Sequence, residues 1–350
     1  MRLLHKVLLA GSTCLMAFLP VLAQEAGTAG NKSGGLPEWF PHLSGTIRGK
    51  WELQTREKES RFEVRTARIA LDGNITPIVD YKAEIDLSDE GQIKMLDAYA
   101  GVNPVKNFAV RIGQMRVPFS IDAHRSPHKQ FFANRSFIAK QVGNVRDVGV
   151  YAGYQLESLP LIVEAGAFNG SGLTHQKDYW TKKFNFSAKL QVPLECGLTL
   201  EGSVQKVSPS DQAVYLYDAG ATLQAGRFTA EVEYLRKHYT HHAFQNVNAV
   251  DAFLCYDQPL KRAFRKVSFL CRYDMMDNHS DGSLDENGAF KLTDAKRHRI
   301  TPGITLSLAK KMNADIRINY EKYFYDHLDL AKKSERDKCV VELVVHFPNK

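Results

Sequence analysis

The densest run of side chains able to do chemistry lies between residues 116 and 145. Arg116, His124, Arg125, His128, Lys129, Arg135 and Lys140 stand there against one acid, Asp122. Guanidinium and ammonium groups at such density suit charge-assisted hydrogen bonding to anions rather than bond making or breaking. Other candidate sites fall away on spacing. The run GAFNGSG (Gly166 to Gly172) holds Ser171 among glycines but lacks the G-x-S-x-G spacing of a hydrolase elbow. Asp277 to Gly282 begins like a calcium loop, yet His279 takes the third ligand position and Gly288 replaces the closing Glu. His238, His241 and His242 read as exposed loop residues. Cys196, Cys255, Cys271 and Cys339 show no CxxC pairing and read as buried or lipid-facing thiols, not a disulfide framework or metal site. No phosphate-cradling Gly/Lys motif is present, and no cofactor is implied.

The elements that must position the basic run are strands. From Ser44 onward apolar and polar residues alternate: Gly45, Ile47, Gly49, Trp51 and Leu53 against Thr46, Arg48, Lys50, Glu52 and Gln54. The period returns at Val79 to Leu87, Phe108 to Ile112, Phe184 to Val192, Phe228 to Tyr234, Val267 to Tyr273, Met312 to Tyr320 and Cys339 to Phe347. Strands are expected near 44–54, 61–73, 78–88, 92–102, 107–115, 146–156, 160–169 and 184–192. They continue near 198–207, 214–225, 227–236, 247–256, 264–275, 298–308, 312–323 and 338–347. About sixteen segments of this length, charged along one face, fit a transmembrane antiparallel β-barrel better than a soluble sandwich. Connections alternate between short and mostly longer, as periplasmic turns and extracellular loops would; the joint at 88–92 is the exception. Parity slips by one between Phe62 and Ala67, the mark of a bulge or of a strand rising above the membrane.

The N-terminus belongs to export. Arg2 and Lys6 precede an apolar run from Val7 to Leu22, interrupted by Gly11 and Pro20 and ending at Val21-Leu22-Ala23. Residues 1–23 are therefore expected to be a signal peptide, 24–43 a short periplasmic lead-in and 44–350 the barrel. No apolar run of about 20 residues follows, so no transmembrane helix is expected. Lys and Arg exceed Asp and Glu by 46 to 39. Removing Arg2 and Lys6 leaves about +5, a surplus suited to anionic solutes, with nucleic acid set aside by export.

Six strings in order carry a resemblance to the phosphate-selective porin O and P family. They are RTARIALDG (Arg65 to Gly73), VDYKAEIDL (Val79 to Leu87), KMLDAYAGV (Lys94 to Val102), RIGQMRVPFS (Arg111 to Ser120), RDVGVYAG (Arg146 to Gly153) and GAFNGSG. The resemblance covers the first half of the mature chain; the later half matches in barrel character only. It implies a sixteen-stranded outer-membrane barrel, usually trimeric, that passes phosphate or other anions along basic side chains. It also implies that the loop after the fifth strand folds inward as a constriction.

The candidate anion pathway is Arg48, Arg68, Arg111, Arg116, Arg125, Lys129, Arg135 and Lys140. Lys82, flanked by Asp80 and Glu84, is expected to be neutralised in the wall. Arg111, flanked by Ala109 and Gly113, is expected to be freer. The implied partners are small anionic solutes, outer-membrane lipid and two further copies of the chain. A general porin of weak charge preference, a plugged structural or adhesive barrel, and a barrel enzyme with a Ser/His/Asp cluster at its outer rim are the alternatives.

Overall fold

Period-two alternation puts every second side chain on one face of a sheet, and closing that sheet removes its unpaired edges. A computed structural model describes residues 40–89, 92–142, 145–173, 176–209, 212–308 and 313–347. The expected signal peptide lies outside the described residues, as do most of the lead-in and the last three residues. Sixteen strands close into one antiparallel barrel, each paired with its neighbours in sequence and β1 with β16. They are β1 (His42–Gln54), β2 (Ser60–Thr76), β3 (Val79–Asp89), β4 (Gln92–Val105), β5 (Phe108–Arg116), β6 (Arg146–Gln155), β7 (Ile162–Phe168) and β8 (Asn185–Pro193). The second half comprises β9 (Leu198–Val207), β10 (Val214–Ala225), β11 (Phe228–Tyr239), β12 (Val247–Pro259), β13 (Phe264–Met276), β14 (Arg297–Leu308), β15 (Ala314–Tyr325) and β16 (Lys338–Phe347). Closure runs from Gly45 opposite Phe347 to Gln54 opposite Lys338. No helix among the described residues is long and apolar enough to cross a membrane.

The faces follow the sequence. On β1, Ile47 is 53% exposed on the outside while Arg48 is 3% exposed on the inside. The parity slip in β2 is a bulge: Arg48 pairs with Thr66 and Gly49 with Val64, so Arg65 is the extra residue. Phe62 and Val64 face outward before it, Ile69 and Leu71 after it. Asp89 and Gln92 face each other across the tight joint that broke the alternation of loop lengths.

One sector departs from a polar lumen. Inward positions of β10 to β13 carry Leu216, Leu235, Val247, Ala249 and Met276, all fully buried in one apolar cluster with Val117, Phe119, Phe137 and Ile138 of the β5–β6 loop. These positions face packed chain rather than water, so apolar side chains are the stabilising choice there. Among the described cysteines none is bridged. The outer-face glycine Gly45 is also explained within the chain: a Cβ there would lie 2.3 Å from Phe347 Cζ, so its smallness accommodates the C-terminal aromatic.

Candidate functional site

The β5–β6 loop, residues 117–145, begins at Val117-Pro118-Phe119 and turns at Ser120, whose φ is +67°. That backbone is unfavourable for a residue with a side chain, and the wall holds it in place. Glu233 of β11 accepts Ser120 Oγ, Ile121 N at 2.7 Å and Asp122 N at 3.2 Å. Ser203 Oγ accepts Ser120 N at 3.0 Å, and Lys189 Nζ donates to Ser120 O at 2.9 Å. Opposite Glu233 stands Gly220, where a Cβ would lie 2.6 Å from Ile121 Cδ1. The glycine leaves the room that Ile121 occupies.

Asp122 closes the loop on itself. Its carboxylate accepts Ser136 N at 3.0 Å and Ser136 Oγ at 2.8 Å, and pairs with Arg125 at 3.2 Å. Burial raises its pKa, but Arg125, Arg135 and Arg272 outweigh that and hold it at about 2. Ser136 in turn caps a short helix, α1 (Phe137–Gln141), accepting Ala139 N at 3.1 Å. Asp274 of β13 takes Phe137 N at 3.0 Å.

Across the barrel four wall arginines donate to loop carbonyls. Arg48 reaches Ala133 O at 2.6 Å, Arg272 reaches Asn134 O at 3.1 Å, Arg299 reaches Arg135 O at 2.8 Å and Arg317 reaches His128 O at 3.1 Å. Each also has a carboxylate neighbour: Glu342 at 2.6 Å from Arg48 and 3.0 Å from Arg317, Asp274 at 2.6 Å from Arg299, and Asp251 and Asp274 each at 3.8 Å from Arg272. Guanidinium suits this double duty because its planar fork spreads five donors. The inward places of Arg272, Arg299 and Arg317 were open to the same parity reading as Arg48. Sequence reasoning that followed the motif-bearing first half of the chain passed over them.

The eight candidate cations separate into two sets. Arg48, Arg68, Arg111, Arg125 and Lys140 are ion-paired: Arg68 with Asp86 at 3.0 Å and Glu84 at 3.4 Å, Arg125 with Glu231 as well as Asp122, and Lys140 with Glu335 at 3.2 Å. Arg111 corrects the expectation drawn from its own strand. It pairs with Asp80 at 3.2 Å, reaching two strands over past Gly101, and its guanidinium lies over the rings of Tyr99 and Tyr151. A Cβ at Gly101 would lie 2.3 Å from Asp80 Oδ1, so this glycine opens the path. Residues at i±2 could not reveal a partner supplied across strands. Lys82 does pair within the wall, with Glu84 at 3.2 Å and Asp97 at 3.1 Å.

The second set has no carboxylate partner among the described residues. Arg116 ends β5 opposite Arg146 and donates to His124 O. Arg135 is held only by backbone carbonyls, those of Asp122, Ala123 at 3.3 Å and Arg125 at 2.8 Å. Burial lowers its pKa to about 10, with Arg68, Arg48 and Arg125 adding to the effect and Asp122 opposing it, so it stays charged at neutral pH. Lys129 is exposed on the turn Pro127–Lys129. Arg135 thus carries its charge from the loop toward the basic β1–β2 wall, with the Asp122 carboxylate close by.

The signals set aside in sequence also have places. His238, His241 and His242 are exposed. Asp277 accepts Asn248 N at 3.1 Å and Nδ2 at 2.9 Å, and His279 is buried within bonding distance, 2.7 Å, of Lys237 Nζ. No group of three or more potential ligands able to hold a metal occurs among the described residues.

Residues 50–209 match the family model described as phosphate-selective porin O and P. The fold is similar to the outer membrane channel DcaP of Acinetobacter baumannii, with TM-score 0.62, 16% identity, and coverage of 88% of this chain and 97% of that one. An anion-selective porin from Comamonas acidovorans aligns with TM-score 0.62 and 13% identity over 88% and 99% of the two chains. The trimer form of OmpT, an outer membrane protein of Vibrio cholerae, aligns with TM-score 0.59 and 12% identity, again over 88% and 99%. At these identities the likenesses establish fold alone. A comparison with curated proteins gives no match.

Proposed function

We propose that this chain, which through residues 50–209 belongs to the phosphate-selective porin O and P family and is an outer-membrane porin, conducts small anions by passive diffusion, phosphate and polyphosphate among them. In this reading no reaction is catalysed. Residues 1–23 are removed on export, 24–43 form a periplasmic lead-in, and the barrel works as a homotrimer in lipid. The β5–β6 loop narrows the lumen. Arg116, Lys129 and Arg135 set the sign of the field there, while the five paired cations brace the wall and loop.

The observation that carries the reading is the absence, among the described residues, of a direct ion pair at those three positions, against ion pairing at the other five. Cations outside direct ion pairs beside a narrow, low-dielectric passage raise the local concentration of anions. The test is reversal potential in a salt gradient across a planar bilayer, followed by phosphate competition. An anion-selective potential with chloride current reduced by phosphate is expected. Cation selectivity overturns the reading; anion selectivity without phosphate competition removes phosphate and leaves the pore. The second reading, a general porin of weak charge preference, draws on the pairing of Arg48, Arg68, Arg111, Arg125 and Lys140, and a reversal potential near zero would favour it.

A further inference from the structure

A cavity of about 160 Å³ lies between the turn Pro127–Lys129 and the inner wall of β12 to β15. Its wall residues, Asp257, Lys266, Ser307 and Asp315 among them, come from the strand ends joined by the short connections 260–263 and 309–313, so it opens toward the periplasmic half of the lumen. An apolar cavity of about 150 Å³ is enough to admit a benzene ring, which fixes the scale of what could enter. One side offers Phe131, Cys255 and Leu270.

The other side offers donors. Gln130 and Thr305 are 6% and 8% exposed, and neither Gln130 Nε2 nor Thr305 Oγ1 has a hydrogen-bond partner among the described residues. Arg48 Nη1 holds Gln130 Oε1 at 2.6 Å, which fixes the amide with its NH₂ group free. A buried donor without an acceptor is costly, and a ligand oxygen would relieve both. Lys129 adds an ammonium with no carboxylate partner among the described residues. The charges already spoken for are Arg317, bound to Glu342 and His128 O, and Asp257, bound to Lys266 and Ser268 at 2.5 Å each. Asp315 and the exposed Arg265 line the same cavity, each without an ion-pair partner among the described residues.

We propose that this cavity is a periplasmic-side subsite for small organic monoanions, one carboxylate on an apolar ring or chain. The carboxylate would sit among Lys129, Gln130 and Thr305 and the apolar body against Phe131 and Leu270. Lys129 and Arg265, the two lining cations outside ion pairs, stand against one acid outside ion pairs, Asp315, and this net single positive charge fits one negative charge better than two. The proposal rests on the anion-pore reading.

The test uses the full-length mature protein in planar bilayers, with benzoate, acetate or inorganic phosphate added on the periplasmic side of chloride-conducting channels. Benzoate is expected to block at lower concentration than acetate or phosphate. Lys129→Gln should weaken that block roughly tenfold and Thr305→Val roughly threefold, the scale of losing one charged and one neutral hydrogen bond. Asp315→Asn should strengthen it. Heat-modifiable migration on gels certifies a closed barrel for each variant. Benzoate blocking no better than acetate, or with unchanged strength in both Lys129→Gln and Thr305→Val, in channels that remain anion-selective, overturns the subsite alone. A cation-selective reversal potential in the parent channel overturns both readings.

Discussion

Replacing Glu233 by alanine should release the first turn of the β5–β6 loop while leaving the barrel closed. The carboxylate accepts Ser120 Oγ, Ile121 N and Asp122 N, and it is wholly buried. The serine hydroxyl can rotate to another acceptor, but the two backbone N–H groups cannot. Each buried donor left unpaired costs about 1–3 kcal/mol, so the pair costs ~4 kcal/mol. At 1.4 kcal/mol per factor of ten, the released turn becomes roughly a thousandfold more populated. The unfavourable φ of Ser120 works in the same direction once its carboxylate anchor is gone. The rest of the loop keeps its ties through Asp274 and the wall arginines, so opening should stay within residues 118–126. Single-channel recordings should show greater open-channel noise and higher conductance, and trypsin should cut at Arg125 faster than in the parent. Glu233→Gln, which keeps one acceptor, should fall between. A Glu233→Ala channel that shifts on heating like the parent, yet matches it in conductance, noise and cleavage, would refute the claim that this carboxylate secures the turn.

Reversing Arg116, Lys129 and Arg135 together to Glu should move the reversal potential toward cations, whereas Lys291→Glu in the exposed β13–β14 loop should change it little. Gly101→Val should separate Asp80 from Arg111 and lower the thermal midpoint, the lost buried pairing costing about 1–3 kcal/mol of stability. His128 stacks on His346 with ring centroids 3.8 Å apart, and burial first, then His346, Lys129, Arg116 and Arg317, lower its pKa to about 3. The folded state therefore binds fewer protons here than the unfolded chain between pH 6.5 and 3. This contact's share of stability is full above pH 6.5 and lost as pH falls toward 3, so acid should increase channel noise and His128→Phe should flatten that dependence.

The strands were legible because burial on one face imposes period two wherever a wall stands between lipid and lumen. The bulge at Arg65 was legible for the same reason, since an extra residue must flip the parity of Phe62 and Val64 against Ile69 and Leu71. Two things were not. Leu216, Leu235 and Met276 sit inward although apolar, because their neighbour is the β5–β6 loop, and nothing local announces a contact made by residues a hundred positions away. The pairing of Arg111 with Asp80 was hidden similarly, since strand neighbours at i±2 say nothing about a partner two strands across the barrel. Gly101 and Gly220, each at an inward position with a long side chain passing over it, are the marks that a search across strands could have used.

The same geometry bears on which cations can govern selectivity. Arg48, Arg272, Arg299 and Arg317 are the most conspicuous basic groups of one wall, yet each donates to a loop carbonyl and stands beside Glu342, Asp274 or Asp251. A guanidinium paired in this way contributes little net field beyond its carboxylate, and exposed charges are screened within about 8 Å at physiological salt. Removing one of these arginines would strand a buried acid, so it should cost stability before it changes ion preference. Arg135 differs because its partners are carbonyls. They hold the side chain in place without a direct ion pair, although the Asp122 carboxylate lies close enough to act on its charge. The selectivity role proposed for Arg135 rests on its being immobilised without a direct ion pair among the described residues, on the loop that reaches toward Arg48 and Arg68.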